Sequence, residues 1–329
     1  MTLTDLAPKL KRRRLEFFPL DWPNVTTSAR PAAETQAEPL AAADSGALRV
    51  ALAQIAPLLG DRQRNLQKHL EQIAAARREG ADLIVFPELS LTGYFLRDMV
   101  PEVALDRTSA EIVQLIEAAG PMALVAGFVE EGPGHQFYNA AFYAEAGRIL
   151  HVHRKVYLPT YGLFEEQRYF SAGKRFQAFN AAGFGRVGIV ICEDFWHVSS
   201  ATIMQAEEID VLLCVINSPA RGISGPKIGT AETYELLART FSQLLGALVI
   251  VVNRVGFEDG LCFFGNSMAV GPDGRLLAQA PQFDECLALV NCDLAELRRE
   301  RLITPLGRDE QLLMTIEELQ RIKRRRYET

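Results

Sequence analysis

The chain has 329 residues, of which 48% are hydrophobic, and 35 basic against 41 acidic side chains give it a net charge of -6. A negative chain is poorly suited to nucleic acid or an anionic membrane as its main partner, because both favour a dense basic surface. The sequence has no apolar run long enough to span a membrane and no signal-peptide pattern. Its five scattered cysteines suit a reducing compartment. We therefore expect a cytoplasmic protein that acts on a small molecule.

Residues 1–46 differ in composition from the rest of the chain. A basic cluster at Lys9–Arg14 is followed by an Ala-, Pro- and Glu-rich stretch, Arg30–Ala43, with no amphipathic period. Such composition is typical of a solvated extension and linker. We predict that this segment is flexible and lies outside the main domain.

From Leu48 onward, apolar runs alternate with amphipathic segments, which predicts an α/β domain with mixed sheets over 47–293. Strands are predicted at 49–54, 82–86, 122–128, 137–145, 148–153, 186–191, 211–216, 247–253, 267–270, 276–279 and 286–291. Helices are predicted at 61–78, 109–118, 198–207 and 230–245. Residues 294–329 are charged and partly helical, with a break at Thr304–Gly307. We expect this tail to pack on a neighbouring subunit.

Three polar residues stand where predicted strands end, which is where α/β sheets collect functional groups. Glu88 follows the second strand, Lys155 ends the strand that begins at residue 148, and Cys192 follows the strand 186–191. A thiolate is a strong nucleophile, a nearby ammonium favours the charged form of the thiol, and a carboxylate can carry the proton. The lysine and the backbone N–H of Glu193 could together hold an oxyanion. The set is complete for acyl transfer from an amide.

Each of the three residues also has a structural interpretation. Cys192 could be a small core residue, Glu88 could cap the following turn, and Lys155 could be solvated. Two other classes of function remain open. His151, His153 and His197 could form a zinc site with Cys192, or the fold could be a non-catalytic scaffold with charged tails. The glycine-rich segment Gly222–Lys227 has the wrong spacing for a phosphate-binding loop.

Three segments resemble the Glu, Lys and Cys motifs of the nitrilase superfamily of carbon–nitrogen hydrolases. They are Phe86–Tyr94 (FPELSLTGY), Arg154–Glu166 (RKVYLPTYGLFEE) and Gly188–Trp196 (GIVICEDFW). Order and spacing also match, and the similarity extends over residues 48–293. The sequence similarity continues through Gln167–Phe170 and Val252–Gly260. Within the superfamily, the sequence most resembles the glutaminase domain of glutamine-dependent NAD synthetases.

This resemblance implies a single nitrilase-like αββα sandwich and a role for each motif residue. Glu88 would be the general base, Lys155 the oxyanion cation, Cys192 the nucleophile, and Glu166 a second carboxylate that orients the lysine and the leaving amine. The residues expected to contact substrate are Tyr94, Trp196, Ser218 and Glu193.

The implied reaction is hydrolysis of a small-molecule carboxamide to acid and ammonia through a cysteine thioester, without a metal or other cofactor. A glutamine-type side-chain amide is favoured, and an N-carbamoyl amine or aliphatic amide is the alternative. The resemblance also implies a homo-oligomer, a dimer or larger. The sequence has no SGGxDS pyrophosphatase loop of a full synthetase, so the ammonia would be released or passed to a separate ammonia-consuming enzyme.

Overall fold

The structure, a computed structural model, describes residues 47–328, and the predictions for residues 1–46 lie outside this range. The strands are β1 (Ala47–Gln54), β2 (Leu83–Val85), β3 (Ala123–Gly132), β4 (Gln136–Glu145), β5 (Arg148–Arg154), β6 (Phe179–Ala181), β7 (Gly185–Ile191), β8 (Val211–Ile216), β9 (Ile223–Ser224), β10 (Lys227–Ile228), β11 (Leu248–Asn253), β12 (Val255–Glu258), β13 (Leu261–Phe264), β14 (Met268–Val270), β15 (Leu276–Gln279) and β16 (Cys286–Asp293). The α-helices are α1 (Arg62–Arg78), α2 (Val100–Val103), α3 (Ala110–Ala119), α4 (Glu166–Tyr169), α5 (Val198–Ala206), α6 (Gly229–Leu245), α7 (Ala295–Ile303), α8 (Leu306–Asp309) and α9 (Leu312–Tyr327).

Two six-stranded mixed sheets form the centre of the fold. The first has the order β16-β1-β2-β3-β4-β5, and the second has the order β15-β14-β11-β8-β7-β6. In the first sheet β1, β2 and β3 are parallel, and in the second β7, β8 and β11 are parallel, while the outer strands pair antiparallel. The carboxyl ends of the parallel strands therefore meet at one end of each sheet.

The period of two in β1 separates two apolar layers. Val50 and Leu52 face the second sheet and belong to the core between the two sheets. Ala51 and Ala53 face the other way and pack in a second core with residues of α1 and α3. Residues of α6 cover the second sheet from outside. The layers run helix, sheet, sheet, helix, which confirms the predicted αββα sandwich.

All the strands and helices predicted within 47–293 are present, with ends that shift by a few residues. For example, the predicted helix 61–78 begins at Arg62, because Asp61 is its N-cap and accepts a hydrogen bond from the Arg64 N–H at 3.1 Å. The short strand β6 and the hairpins β9–β10 and β12–β13 were not predicted.

The tail after Asp293 has two kinds of helix. α7 packs on its own chain through buried Leu297 and through Arg301, whose guanidinium donates to Asp210 at 2.8 Å and to the Gly246 carbonyl at 3.0 Å. By contrast, no residue of α9 is buried. Packing of the tail on a neighbouring subunit stays a prediction. No helix in the described part of the chain is long and apolar enough to cross a membrane.

Candidate active site

Cys192 lies at the carboxyl end of β7, where the strand turns sharply into a 3₁₀ helix, Cys192–Trp196. Its φ of 47° is left-handed, a conformation that costs a non-glycine residue about 1–3 kcal/mol. The side chain is buried, and its Sγ lies 3.3 Å from the hydroxyl of Tyr234 on α6. Strain held by a rigid strand end is a feature of functional sites.

Glu88 follows β2 and is held by hydrogen bonds on both carboxylate oxygens. Oε1 accepts from Asn139 Nδ2 at 2.7 Å, and Oε2 accepts from the backbone N–H of Asn217 at 2.7 Å. The backbone beneath it packs so closely that a Cβ on Gly127 would lie 2.7 Å from the Glu88 carbonyl carbon and 2.3 Å from the Leu89 nitrogen. Only glycine fits at residue 127, and the carboxylate is fixed in one position.

Lys155 joins the two predicted catalytic carboxylates. Its Nζ donates to Glu88 Oε1 at 2.8 Å and to Glu166 Oε1 at 2.6 Å. Glu166, at the start of α4, also accepts from the Tyr94 hydroxyl at 2.5 Å. All four side chains are buried. A buried cation between two carboxylates is ordered by charge-assisted hydrogen bonds on both sides.

Burial dominates the ionisation of this cluster. It raises the pKa of the Cys192 thiol, and the charge of Glu88 adds to this effect while Lys155 opposes it. The expectation that an ammonium would favour the thiolate is therefore outweighed by desolvation. Burial alone would lower the pKa of Lys155, but the carboxylates Glu166 and Glu88 raise it well above its ordinary value. Burial raises the pKa of Glu166 to about 7, against the influence of Lys155.

Asp194 connects the cysteine turn to the lysine segment. Oδ1 accepts from the backbone N–H groups of Val156 and Tyr157 at 3.0 and 2.9 Å. Oδ2 accepts from the backbone N–H of Ile191 at 3.1 Å and contacts His153 Nε2 at 2.9 Å. One buried carboxylate thus holds the residue before Cys192 and the two residues after Lys155.

The predicted substrate-contact residues lie at different depths. Tyr94 is buried against Glu166, and Ser218 is buried just beyond β8, where its backbone N–H donates to Asn253 Oδ1 at 3.0 Å. Glu193 is half-buried and accepts from the Tyr161 hydroxyl at 2.9 Å. Trp196 is 40% exposed, with its ring edge-on to Tyr234.

The three histidines considered for a zinc site are engaged separately. His153 contacts Asp194, the His151 ring stacks on Phe179 with centroids 4.8 Å apart, and the His197 ring stacks on Tyr157 at 3.6 Å. Within residues 47–328 no group of three or more His, Cys, Asp or Glu side chains is arranged to hold a metal ion.

Comparison with known proteins supports the family resemblance. The sequence profile of the carbon–nitrogen hydrolases matches residues 49–301, which is most of the chain. The chain belongs to the carbon–nitrogen hydrolase family. It is 32% identical over 254 residues to the glutamine-dependent NAD(+) synthetase of Acinetobacter baylyi, covering 77% of this chain and 46% of that protein. It is also 32% identical over 266 residues to the Thermotoga maritima protein of the same name, covering 79% and 45%.

Solved structures of this carbon–nitrogen hydrolase family share the fold. The glutamine-dependent NAD+ synthetase of Acinetobacter baumannii superposes with a TM-score of 0.66 at 31% identity, covering 74% of this chain and 45% of the other. A carbon–nitrogen hydrolase from Helicobacter pylori superposes with a TM-score of 0.73 at 24% identity, covering 83% and 98%. The chain spans less than half the length of the curated synthetases described above.

Four residues that build the candidate site were not predicted from the sequence: Asn139, Asp194, Asn217 and Tyr234. Asn139 and Asn217 bind Glu88. Asp194 joins the Cys192 and Lys155 segments, and Tyr234 contacts the Cys192 thiol. Asp194 and Asn217 lie close to predicted strand ends, which was the available signal. Asn139 and Tyr234 lie inside predicted elements, where no local pattern marks them.

Proposed function

We propose that this carbon–nitrogen hydrolase hydrolyses a primary carboxamide to a carboxylic acid and ammonia through a thioester on Cys192. The observation that carries the proposal is the buried Lys155 ammonium, held between Glu88 and Glu166, whose charge acts on the Cys192 thiol. Base, cation and nucleophile come from three separate strand ends. Acyl transfer from an amide can use all three of these groups.

The resting thiol is protonated because burial raises its pKa. Its proton therefore moves to Glu88 as Cys192 Sγ bonds to the amide carbon. The carbonyl oxygen becomes an oxyanion, which Lys155 Nζ and the N–H of Glu193 stabilise. The carbon–nitrogen bond then breaks, and the amine takes the proton from Glu88 and leaves as ammonia. Water attacks the thioester and gives one proton to Glu88. Glu88 returns this proton to the departing Cys192 sulfur, which restores the thiol and releases the acid.

Glu166 suits the role of a second carboxylate. One of its oxygens binds Lys155 and Tyr94, while Oε2 is buried without a hydrogen-bond partner among the described residues. An acceptor of this kind can hold the N–H groups of the substrate amide and of the departing ammonia. It would orient the leaving group while Lys155 stays fixed between the two carboxylates.

A glutamine-type amide is supported by the groups at the mouth of the site. The Glu193 carboxylate, bound by the Tyr161 hydroxyl, offers a partner for an α-ammonium. The exposed Arg221 lies with its guanidinium carbon 5.8 Å from the centre of the Phe164 ring and offers a partner for an α-carboxylate. Phe164 in turn packs edge-on against Tyr94. One anion and one cation match an α-amino acid better than an uncharged amide.

A product screen with three amides and one N-carbamoyl amine tests this proposal. Glutamine carries both α-groups, glutaramate lacks the ammonium, and butyramide lacks both. We expect glutamine to give ammonia and glutamate with the highest kcat/KM. Turnover of butyramide as fast as glutamine would move the assignment to aliphatic amides, and carbon dioxide from a carbamoyl amine would move it to carbamoyl hydrolysis.

A matched pair of variants tests the role of Glu193. Glu193→Gln should lower kcat/KM for glutamine about 10- to 100-fold, the worth of one hydrogen bond between charged groups, and leave glutaramate unaffected. Glu117→Gln, an exposed carboxylate on α3, is the control. Equal losses on glutamine and glutaramate would contradict recognition of the ammonium by Glu193.

We further propose that the ammonia is released or used by a separate ammonia-consuming enzyme, that the protein acts in the cytoplasm, and that it forms a homodimer or larger oligomer. The apolar side chains exposed on α9, including Leu313 and Leu319, support the last of these proposals. A second copy of the chain would cover them.

A further inference from the structure

A groove lined by cationic side chains runs beside β5, the edge strand of the first sheet. One part has a volume of about 380 Å³, and an adjoining part of about 610 Å³ shares His151 and Val152 with it. The cations that line the two parts are Arg107, Arg148, Arg154, Lys174 and Arg175. No aspartate or glutamate is among the described residues that line the groove. We call it the cation groove.

Two of the arginines are held in place by one carboxylate. Glu130, buried on β3, accepts from Arg107 Nε at 2.8 Å and from Arg154 Nε at 2.6 Å. Arg154 also lies over the Tyr138 ring, with its guanidinium carbon 3.8 Å from the ring centre. Each arginine meets Glu130 through its Nε, so its terminal nitrogens have N–H groups left to offer a ligand. Ordered guanidinium groups lose little freedom when they bind an anion.

The segment 172–175, which also lines the groove, adds two further cations. Lys174 and Arg175 are exposed and form no ion pair with any residue in 47–328. The backbone N–H of Gly173 donates to the Lys155 carbonyl at 2.7 Å. A Cβ on Gly173 would lie 2.0 Å from the Arg154 carbonyl oxygen, so this wall is packed directly against β5. The backbone that carries Lys174 and Arg175 is therefore held against β5.

His151 supplies a neutral polar group to the same groove. Burial lowers the pKa of His151 to about 4, with smaller contributions from His153 and Arg107, so the ring is uncharged at neutral pH. Its Nε2 atom is buried without a hydrogen-bond partner in the described part of the chain. A buried polar atom that lacks a partner costs about 1–3 kcal/mol. Such an atom in the wall of a cavity points to a bound ligand or water.

We propose that the cation groove binds a phosphate-bearing small molecule. Guanidinium groups match phosphate oxygens with paired hydrogen bonds, and five cations against Glu130 leave a strong positive excess. A cavity of about 380 Å³ has the size of a small-molecule site. The site lies outside the proposed hydrolase centre, and none of its lining cations is assigned a catalytic role.

A polyanionic macromolecule is a weaker match. Nucleic acid is bound by an extended basic face, whereas here the cations converge on a cavity in a chain with a net charge of -6. The occupant is therefore a small molecule that carries phosphate.

Calorimetric titration with pyrophosphate tests the proposal, at constant ionic strength set with sodium chloride. The test protein is the exposed double variant Lys174→Ala/Arg175→Ala. The control is Arg324→Ala/Arg325→Ala, two exposed arginines on α9 without ion pairs to the described residues. Circular dichroism of both variants checks that they are folded.

We expect saturable binding of one pyrophosphate per chain, at least 10-fold weaker in Lys174→Ala/Arg175→Ala and unchanged in the control. Absence of saturable binding in the unmodified protein would overturn the proposal, as would equal affinity in all three proteins. Binding of a short oligonucleotide in place of pyrophosphate, lost in the same variant, would assign the groove to nucleic acid. Each of these readings is independent of amide hydrolysis.

Discussion

Replacing Asp194 with asparagine tests whether one buried carboxylate holds the candidate site together. Its Oδ1 accepts from the N–H groups of Val156 and Tyr157, and its Oδ2 from the N–H of Ile191 and from His153. The side chain is fully buried. Val156 and Tyr157 follow Lys155, and Ile191 precedes Cys192. His153 lies on β5, the strand that ends just before Lys155.

The loss of stability depends on which oxygen of Asp194 the asparagine NH₂ group replaces. If the asparagine NH₂ replaces Oδ1, two backbone N–H groups lose their acceptor. If it replaces Oδ2, only the N–H of Ile191 does, because His153 can change tautomer and accept. The second orientation leaves one buried donor unpaired, at about 1–3 kcal/mol, and weakens the remaining bonds because the acceptor is no longer charged. We expect Asp194→Asn to lower the free energy of unfolding by about 3 kcal/mol.

Turnover should fall as well, because the turn carrying Cys192 and the segment carrying Lys155 lose their common anchor. A displacement of about 1 Å is worth up to roughly 100-fold in rate, and we expect kcat to fall by about 10- to 100-fold. Urea unfolding and ammonia release measure the two effects. The control is Asp106→Asn, an exposed carboxylate that accepts from Thr108.

Asp106→Asn should stay within about 0.5 kcal/mol of the unmodified protein, as exposed substitutions usually do. Stability of Asp194→Asn equal to that of this control, together with turnover at the unmodified rate, would refute the anchoring role of Asp194. Loss of stability with normal turnover of the folded fraction would remove the positioning role and leave only a structural one.

Lys155→Met removes the cation from between Glu88 and Glu166. We expect the free energy of unfolding in urea to fall by about 3–5 kcal/mol and ammonia release to slow at least 100-fold. A variant with near-normal kcat would contradict the role of the lysine. Because the pKa of Glu166 is raised to about 7 from 4.5, the fold favours the protonated form. The stability that Glu166 contributes is complete below about pH 4.5 and is lost as the pH rises through about 7. Glu166→Gln should therefore flatten the fall in Tm between about pH 5 and pH 8. An unchanged slope would contradict the raised pKa of Glu166. Sedimentation should show a dimer or larger that Leu313→Glu weakens, and a fully active monomer would reject the assembly proposal.

The strands of the two sheets were predicted well because most buried strands are apolar runs in the sequence. The strand Val211–Ile216 was predicted with the same ends that the structure has. The β12–β13 hairpin was missed because its two strands are only four residues long and Gly256 breaks the apolar run of β12. That hairpin matters, since Glu258 at its end accepts the backbone N–H of Tyr94 at 2.8 Å.

The candidate site was predictable only in part for a similar reason. Glu88 and Cys192 each follow an apolar strand, and Lys155 follows a strand with alternating side chains, so a local pattern marks all three. The residues that contact them have no such local pattern. Asn139 lies 51 residues along the chain from its partner Glu88, and Tyr234 lies 42 residues from Cys192. Contacts of this kind arise from the packing of the two sheets and α6, and neither propensity nor periodicity records them.

The most direct test of the account is to find the acyl group during turnover. The amide turned over fastest in the product screen would be mixed with the protein, quenched with acid within a turnover, and the digested protein analysed by peptide mass mapping. We predict an added acyl mass on the peptide that contains Cys192, and its absence in folded Cys192→Ala, which should release no ammonia; Cys214→Ala, in the core strand β8, should behave as the unmodified protein. Ammonia release from Cys192→Ala at the unmodified rate, or acylation at another residue, would contradict the account.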